Sequence, residues 1–374
     1  MKNLVYIILT GIILGWVSCK SQDSTYMEFL VPNGIVYPMP AKNPITKSGN
    51  ERIEISWERG VDPKVVKARI FWNNYTDSVE VAVDPKKDVI SHIIGPKNPE
   101  IAENTYSFLI HTYDSLGNVS IPVEVRGRVY GKLYERSLRN RAIKSTGFDG
   151  IDVVTLYWYG AEKTEAGVKL SYSDIDGKTQ TYMVEPSETE TTLTNFDIDK
   201  PLFLCTEFLP DTTAIDKFYA QNESTMIEPF IPRNTWTVTA SSQLSAVFTA
   251  AHAIDGDLST CWHTSEIAQY PHWIAFNMQR PVDVRRVSLT MRSLFPQMTL
   301  KDFMIQGSMD GVTWTDYPPS DAQYYNFKPL AEVKQTFDLQ NISQMQHIRI
   351  RAITAHENTY CVIAEFEVIG VFSK

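Results

Sequence analysis

The sequence predicts an all-β protein made of successive antiparallel sandwiches. Short segments such as RIEISW, KARIFW and TYSFLIHTY alternate apolar and polar residues. Turns rich in Asp, Asn, Gly and Pro separate these segments, and no helical apolar period runs far after residue 20. Alternation with a period of two buries one face of each strand. Because 374 residues exceed one ordinary core, we expect two to three domains.

The charge balance excludes one class of partner. The formal net charge is -9 and the sequence contains no long basic run. Nucleic-acid phosphates require a basic surface, so the sequence predicts no nucleic-acid partner. Aromatic residues make up 11% of the chain, which suits a β-rich protein that binds through its surface.

The N-terminus has the pattern of an export signal. A charged start is followed by the apolar stretch LVYIILTGIILGWV and then Ser18–Cys19, which predicts a signal peptide over residues 1–18. The junction resembles a bacterial lipobox, although Trp16 stands where leucine is usual. The resemblance implies a lipidated Cys19, a polar tether over residues 19–25, and a lipid anchor in the outer membrane or at the cell surface of a Gram-negative bacterium. The alternative is an ordinary cleaved signal with an incidental cysteine.

Two copies of a weak internal repeat follow, at 26–137 and 146–224. Each has the length of a seven-strand sandwich of the fibronectin-III or immunoglobulin type. Trp57, Trp72 and Trp158 are expected to anchor the two cores. The polar stretch between the copies, within residues 130–145, is expected to be a linker with at most one short helical turn. Segments such as YMEFLVPNGIVYP and TYSFLIHTYDSLGNVS resemble a family of two-sandwich surface lipoproteins of Bacteroides-type bacteria with no assigned function.

A third β-rich unit occupies residues 230–374, after the prolines of PFIPR. Its motifs are, in order, WTVTASSQ, AAHAIDGDLSTCWHT, YPHWIAFNM, KDFMIQGSMDGVTWTDY and CVIAEFEVIG. This order resembles that of a discoidin, or coagulation factor 5/8 type C, domain. The family 32 carbohydrate-binding modules within that group are the most similar. The resemblance implies a galactose-binding-like jelly-roll of five plus three strands, with binding loops at one end.

The acidic turn DGDLST suggests a metal site, because calcium takes six to eight oxygens from carboxylates, hydroxyls and carbonyls. The resemblance implies a structural calcium ion held by two segments about a hundred residues apart. Its ligands would be His252, Asp255, Asp257, Thr260, Ala364 and Glu365. The alternative is a metal-free turn to which Glu365 is hydrogen-bonded.

The same resemblance implies a saccharide site at the end loops. Sugar sites combine a ring-stacking aromatic with a few fixed polar groups. His263 and Arg292 match the family's polar positions, and Asn358 is the candidate amide. The usual aromatic shortly after the histidine is absent, so Tyr270, Phe295 or Tyr360 is expected to replace it. The alternatives are a hydrogen bond from His263 to the acidic turn, a solvated charge or a structural ion pair for Arg292, and a core or surface role for Tyr360.

Three cysteines remain after Cys19. Cys261 and Cys361 flank the two halves of the expected metal site, so the sequence suggests a disulfide between them, with two buried free thiols as the alternative. Cys205 is expected to be a buried free thiol. Since there is no CxxC pair, neither a zinc ribbon nor a thioredoxin-like site is expected.

These features predict a non-catalytic protein. The sequence has no GxSxG, HExxH or GxxxxGK[ST] motif. We expect a membrane-anchored lipoprotein whose third domain binds a glycan, galactose-type or related, while the first two sandwiches act as a spacer. A glycan-uptake complex of the outer membrane is the expected partner. The alternative is an adhesion or protein-interaction subunit, for which the apolar loop SLFPQM at 293–298 would face the partner.

Overall fold

The computed structural model describes residue 34 and residues 37–97, 99–267, 269–357 and 359–373. The expected signal peptide and Cys19 lie outside these residues. Within them, no helix is long and apolar enough to cross a membrane. The chain forms two compact units, the first made of residues 1–134 and 211–217 and the second of residues 135–210 and 218–374.

The first unit contains a sandwich of one three-stranded and one four-stranded sheet, with the strand orders β1-β2-β5 and β4-β3-β6-β7. This is the arrangement expected for a fibronectin-III-like sandwich. The strands are β1 (Lys42–Ser48), β2 (Ile53–Glu58), β3 (Val65–Trp72), β4 (Asp77–Ala82), β5 (Val89–Ile94), β6 (Asn104–Asp114) and β7 (Val123–Val129). Trp57 and Trp72 are buried in its core, as the sequence predicts.

A short helix, α1 (Lys132–Ser137), follows the first sandwich. The backbone N–H groups of Leu133 and Tyr134 donate to the Glu103 carboxylate at 2.8 and 2.9 Å. Beyond the helix the linker prediction fails, because Arg141 is buried in the second sandwich and the next strand begins at Ile143.

The second sandwich repeats the same arrangement, with the sheets β12-β9-β8 and β11-β10-β13-β14, in which β15 also pairs with β13. Its strands are β8 (Ile143–Phe148), β9 (Val154–Trp158), β10 (Glu165–Ser173), β11 (Thr179–Val184), β12 (Glu190–Leu193), β13 (Leu202–Phe208), β14 (Phe218–Tyr219) and β15 (Glu223–Thr225). Trp158 is buried in its core, as predicted.

The third domain has its own core, surrounded by a seven-stranded sheet and a two-stranded ladder. Its elements are β16 (Thr237–Ala240), a 3₁₀-helix (Ala250–Ile254), β17 (Trp262–His263), β18 (His272–Thr290), β19 (Asp302–Ser308), β20 (Thr315–Tyr317), β21 (Tyr325–Asn326), β22 (Lys334–Ala352), β23 (Val362–Ile363) and β24 (Glu365–Phe372).

Two long strands with β-bulges contribute to both layers of this domain. The first part of β18 pairs with β16 and with the end of β22, which continues to β19 and β20. The second part of β18, from Val282 to Thr290, pairs with β24 and with the start of β22. Bulges let a strand bend and change its sheet. Apart from the two-residue strand β21, which also pairs with β19, and the ladder of β17 and β23, the strand layers are five plus three, as the sequence resemblance implies.

The second sandwich and the third domain meet within the second unit. Phe148 packs on the core of the third domain, and Val371 packs on the core of the second sandwich. The N–H of Phe372 donates to the Gly150 carbonyl at 2.5 Å, and Arg285 forms an ion pair with Asp199 at 2.8 Å. These contacts join the two domains directly along a seam.

Candidate functional site

The ladder of β17 and β23 brings distant parts of the third domain together. Trp262 pairs with Ile363 and His263 with Val362 in antiparallel register. The acidic turn precedes β17, and Glu365 follows β23. The ladder therefore places the two halves of the expected metal site at one end of the domain.

The acidic turn is organised by its own hydrogen bonds. Asp255 Oδ1 accepts from the Asp257 N–H at 2.9 Å, and Asp255 Oδ2 accepts from the Thr260 hydroxyl at 2.7 Å. The same hydroxyl lies 2.9 Å from the Asp257 carbonyl. Gly256 has φ of 84°, a conformation that glycine adopts without strain. Three kinds of oxygen thus lie close together in this turn.

Glu365 connects the final strand to this turn. Its Oε1 accepts from the Gly256 N–H at 2.6 Å, and its Oε2 pairs with the Arg233 guanidinium. The carboxyl group is buried, and burial raises its pKa although Arg233 opposes the shift. Glu365 is thus hydrogen-bonded to the acidic turn, and its carboxylate belongs to the same group of oxygens as the turn.

The donor set is compatible with a calcium ion. Asp255 and Glu365 supply carboxylates, Thr260 a hydroxyl and Asp257 a carbonyl, which is the oxygen chemistry that calcium takes. Among the described residues, no group of three or more His, Cys, Asp and Glu side chains is placed to hold a metal. A cation here would therefore depend on carbonyl and hydroxyl oxygens as much as on carboxylates, and Arg233 already neutralises part of the charge.

The two remaining expected ligands would use backbone carbonyls. His252 lies in the 3₁₀-helix directly before the turn, and its ring Nδ1 is buried without a hydrogen-bond partner among the described residues. Ala364 is fully buried next to Glu365, and its N–H donates to the Thr290 carbonyl at 3.0 Å. Both residues flank the oxygen cluster in sequence.

His263 lies mostly inside the protein, with 3% of its surface exposed. Its ring stacks on Tyr360 at 4.8 Å between centroids, and Nδ1 lies 2.6 Å from the Thr264 carbonyl. The Phe248 ring is tilted against the His263 ring, with 5.7 Å between centroids. The histidine therefore supports the half-buried Tyr360, and this burial leaves little of His263 for direct contact with a ligand.

Arg292 and Phe295 form the more accessible part of the loop end. Arg292 is half-buried, and its Nη1 lies 3.6 Å from the Cys261 sulfur. Its Nε is buried without a hydrogen-bond partner among the described residues. The guanidinium lies 5.9 Å from the ring centroid of Phe295, which is 57% exposed. An unpartnered donor thus adjoins an exposed aromatic ring. The ion pair that the sequence left open as an alternative role of Arg292 is not observed among the described residues.

Tyr270 is part of the packing of this end. It is half-buried against the domain core, and its hydroxyl lies 3.2 Å from the Cys361 sulfur. Burial raises the pKa of its hydroxyl well above the usual range. Asn358, the expected amide, lies outside the described residues.

Cys261 and Cys361 are both free and buried, which is the second of the two possibilities that the sequence left open. The ladder register explains why they do not form a disulfide. Cys261 precedes Trp262, which pairs with Ile363, whereas Cys361 bonds to Thr264 at the other end. Three residues of separation along a strand correspond to about 10 Å, beyond the ~4.4–6.8 Å that a disulfide spans. Cys205 is free as predicted, but it is half-buried.

Sequence reasoning missed two residues of this end. Arg233 pairs with Glu365 and also donates to the Phe366 carbonyl at 2.7 Å. Phe248 packs against His263. Neither belongs to a motif: Arg233 stands alone in a proline-rich boundary and Phe248 in a loop. No local signal in the sequence indicates their long-range partners.

Comparison with protein-family models decides the family. A model described as a domain of unknown function, DUF4998, matches residues 19–218, which is more than half of the chain. The chain belongs to the DUF4998 family. A second model, the F5/8 type C domain, matches residues 237–366 of this DUF4998 protein. The third domain is therefore of the discoidin type, as its strand order indicates.

A curated relative of this DUF4998 protein is a sialidase from Micromonospora viridifaciens, which is 27% identical over 125 residues. The match covers 32% of this chain and 18% of the sialidase, so the chain spans less than a fifth of that relative's length.

Solved structures of binding modules are also similar. A family 32 carbohydrate-binding module from Clostridium perfringens NanJ, in complex with galactose, is 23% identical, with 38% of this chain and 98% of that chain covered and a TM-score of 0.34. The F5/8 type C domain of a Bacteroides fragilis protein is 25% identical, with 39% and 97% covered and a TM-score of 0.33. The C-terminal domain of a Bacteroides fragilis chitobiase is 19% identical, with 39% and 99% covered and a TM-score of 0.35.

Proposed function

We propose that the F5/8 type C domain binds a glycan through the loop end formed by Arg292, Phe295 and Tyr360. The observation that supports this most directly is the unpartnered, buried Nε of Arg292 beside the exposed Phe295 ring. A buried donor without a partner costs about 1–3 kcal/mol, which a ligand oxygen would recover. The aromatic rings would contact the apolar face of a sugar, and the guanidinium would donate to its hydroxyls. A galactose-type or related sugar is the proposed class.

The test is calorimetry with the full chain against a panel of neutral oligosaccharides. Arg292→Ala is expected to weaken binding tenfold or more, because hydrogen bonds to charged groups contribute about 1.5–3 kcal/mol. Arg128→Ala is the matched control, since Arg128 lies 4.9 Å from the ring of Tyr130 in the first sandwich. No saccharide binding at millimolar concentration, or equal affinity for both variants, would rule out the loop site.

A calcium ion in the acidic turn is proposed as a structural support of these loops. The convergence of Asp255, Thr260 and Glu365 supports it. Added calcium should raise the thermal midpoint of the wild-type protein. At a calcium concentration a hundredfold above Kd, the free energy of unfolding should increase by about 2.7 kcal/mol. Asp255→Asn should remove this increase, whereas Asp310→Asn, in a similar Asx turn with the Val312 and Thr313 N–H groups, should retain it. The proposal fails if chelation leaves the wild-type midpoint unchanged.

We further propose that binding is non-catalytic and that the protein is lipid-anchored through Cys19 in the outer membrane or at the cell surface. The export-type N-terminus of the sequence supports this. A glycan-uptake complex is the proposed setting, and multiple anchored copies would increase avidity for a polymer. Detergent phase partitioning should place the wild-type protein in the detergent phase and Cys19→Ala in the aqueous phase.

A protein-interaction role is the second candidate, and one observation favours it. Leu294 and Phe295 are 67% and 57% exposed on the loop after Arg292. Capture from outer-membrane extract with and without excess glycan separates the two functions. A partner that is retained in excess glycan but lost with Leu294→Ser would support the interaction role.

A further inference from the structure

A cavity lies along the seam between the second sandwich and the third domain, away from the loop end. Its volume is about 310 Å³, and both domains contribute to its walls. Ligand pockets typically measure ~300–1,000 Å³ and often lie at domain interfaces. The cavity is therefore large enough for one small molecule, such as a single sugar ring, but not for a longer polymer.

Arg285 lines this cavity and carries hydrogen-bond donors that have no partner in the described part of the chain. Its Nη2 donates to Asp199 at 2.8 Å, whereas Nε and Nη1 are buried without a hydrogen-bond partner among the described residues. Two unsatisfied donors on one guanidinium are costly, at ~1–3 kcal/mol for each buried group. The arginine thus requires an oxygen acceptor that the neighbouring side chains do not provide.

The charge of the walls restricts the ligand to an uncharged one. Asp152, Asp197 and Asp283 line the cavity together with Arg285. Asp283 Oδ1 accepts from the Ser373 hydroxyl and Asp197 Oδ1 accepts from the Asp199 N–H, which leaves their second oxygens as acceptors. Three carboxylates would repel an anion, and a simple cation offers no acceptor to Arg285. A neutral ligand with both acceptor and donor groups fits.

The remaining walls are apolar. Ile151 and Ile175 are 41% and 49% exposed, and Phe372 is half-buried beside them. Exposed isoleucines at a cavity offer a surface for a methyl group or for the apolar face of a ring. The cavity thus combines a donor, several acceptors and an apolar wall within a small volume.

We propose that this seam cavity is a second saccharide site, which binds an uncharged sugar unit carrying an acetamido group. The acetamido carbonyl accepts from Arg285, its N–H donates to an aspartate, and its methyl group contacts the isoleucines. Sugar hydroxyls donate to the remaining carboxylate oxygens. The site uses residues of both domains and is independent of the loop site around Arg292.

Calorimetry with the full-length protein tests this, using N-acetylglucosamine, glucose and N-acetylneuraminic acid as probes. N-acetylglucosamine should bind at millimolar concentration or tighter, about tenfold tighter than glucose. The anionic sugar should not bind. Absence of N-acetylglucosamine binding, or equal affinity for glucose, would overturn the proposal.

Variants separate this site from the loop site and from a general loss of structure. Arg285→Gln and Ile175→Glu should each weaken N-acetylglucosamine binding about tenfold or more. Asp199→Ala removes the ion pair but no wall of the cavity, and should keep the affinity within about twofold, as should Arg292→Ala. Binding lost in Arg292→Ala but retained in Arg285→Gln would place the sugar at the loop end. Equal losses of affinity in Arg285→Gln and Asp199→Ala would show that binding depends on the ion pair that shapes the seam and not on hydrogen bonds from Arg285 to the sugar. Either result would overturn the proposal.

Discussion

Replacement of Arg141 by methionine tests how the second sandwich is held together. Both Arg141 and its partner Glu165 have side chains no more than 2% exposed, and their charged atoms lie 3.5 Å apart. Arg141 also donates to the Tyr159 and Glu188 carbonyls, each at 2.7 Å. Methionine is an unbranched apolar side chain that can replace the aliphatic part of Arg141, but it has none of these hydrogen-bond donors.

The expected cost follows from this burial. Removal of one partner from a buried ion pair costs about 3–5 kcal/mol, because the other charge remains without compensation. Burial already raises the pKa of Glu165, and loss of Arg141 would raise it further. Protonation of Glu165 then limits the cost, so we expect a loss near the lower end, about 3 kcal/mol. With a urea m-value of ~1–3 kcal/mol/M, the unfolding midpoint should fall by about 1–3 M.

Urea unfolding followed by tryptophan fluorescence measures this, since Trp158 lies 5.7 Å from the Arg141 guanidinium. Lys67→Ala is the control: its pair with Glu80 is exposed, with side-chain exposures of 42% and 57%, and should contribute at most about 1 kcal/mol. Arg141→Met combined with Glu165→Leu should recover part of the loss, because the uncompensated carboxyl is gone. The reasoning is refuted if Arg141→Met lowers the midpoint no more than Lys67→Ala.

Three further expectations concern the seam and the thiols. Gly150→Ala should destabilise the protein by about 2–4 kcal/mol, because Gly150 has φ of +90° and an added Cβ would meet the Phe372 ring. The control Gly177→Ala, at φ of +78° with open space around the Cβ position, should cost only ~1–2 kcal/mol. Equal shifts of the thermal midpoint in the two variants would contradict this. Burial raises the pKa of Cys361 from 9.0 to about 12. The stability that its neutral thiol contributes is therefore complete below pH 9 and is lost between pH 9 and 12, by up to about 4 kcal/mol. A Cys361→Ser variant whose stability declines equally at alkaline pH would disprove this. In the native protein Cys205 should react with an alkylating reagent before Cys361, because it is only half-buried, as mass spectrometry of timed samples can show.

The architecture could be predicted because its signals are local. Ile53, Ile55 and Trp57 occupy alternate positions of β2 and are all buried, as a period of two requires. The order of motifs in the third domain resembles that of a discoidin domain, and this resemblance implied five plus three strands. It also placed Glu365 against the acidic turn, which the bond to Gly256 confirms.

The errors arise from long-range contacts that leave no local pattern. Arg141 stands in a polar stretch that resembles a linker, yet its carbonyl partners lie 18 to 47 residues further along the chain. A disulfide between Cys261 and Cys361 was considered because both flank the two halves of the expected metal site in the sequence. The strand register, which a sequence does not give at the resolution of single residues, separates them.

Strand β24 joins both ends of the third domain, since it begins at Glu365, which is hydrogen-bonded to the acidic turn, and ends at Phe372 in the seam. Between these ends it is paired with β18 from Thr290 to Val282, which fixes its position residue by residue. A substitution at the seam should therefore not alter the structure of the acidic turn. We expect Phe372→Ala to weaken N-acetylglucosamine binding at the seam and to leave the proposed stabilisation by calcium as in the wild type. If Phe372→Ala also abolished the calcium-dependent increase of the thermal midpoint, the strand would have to move as a whole, and the two sites would be coupled through it.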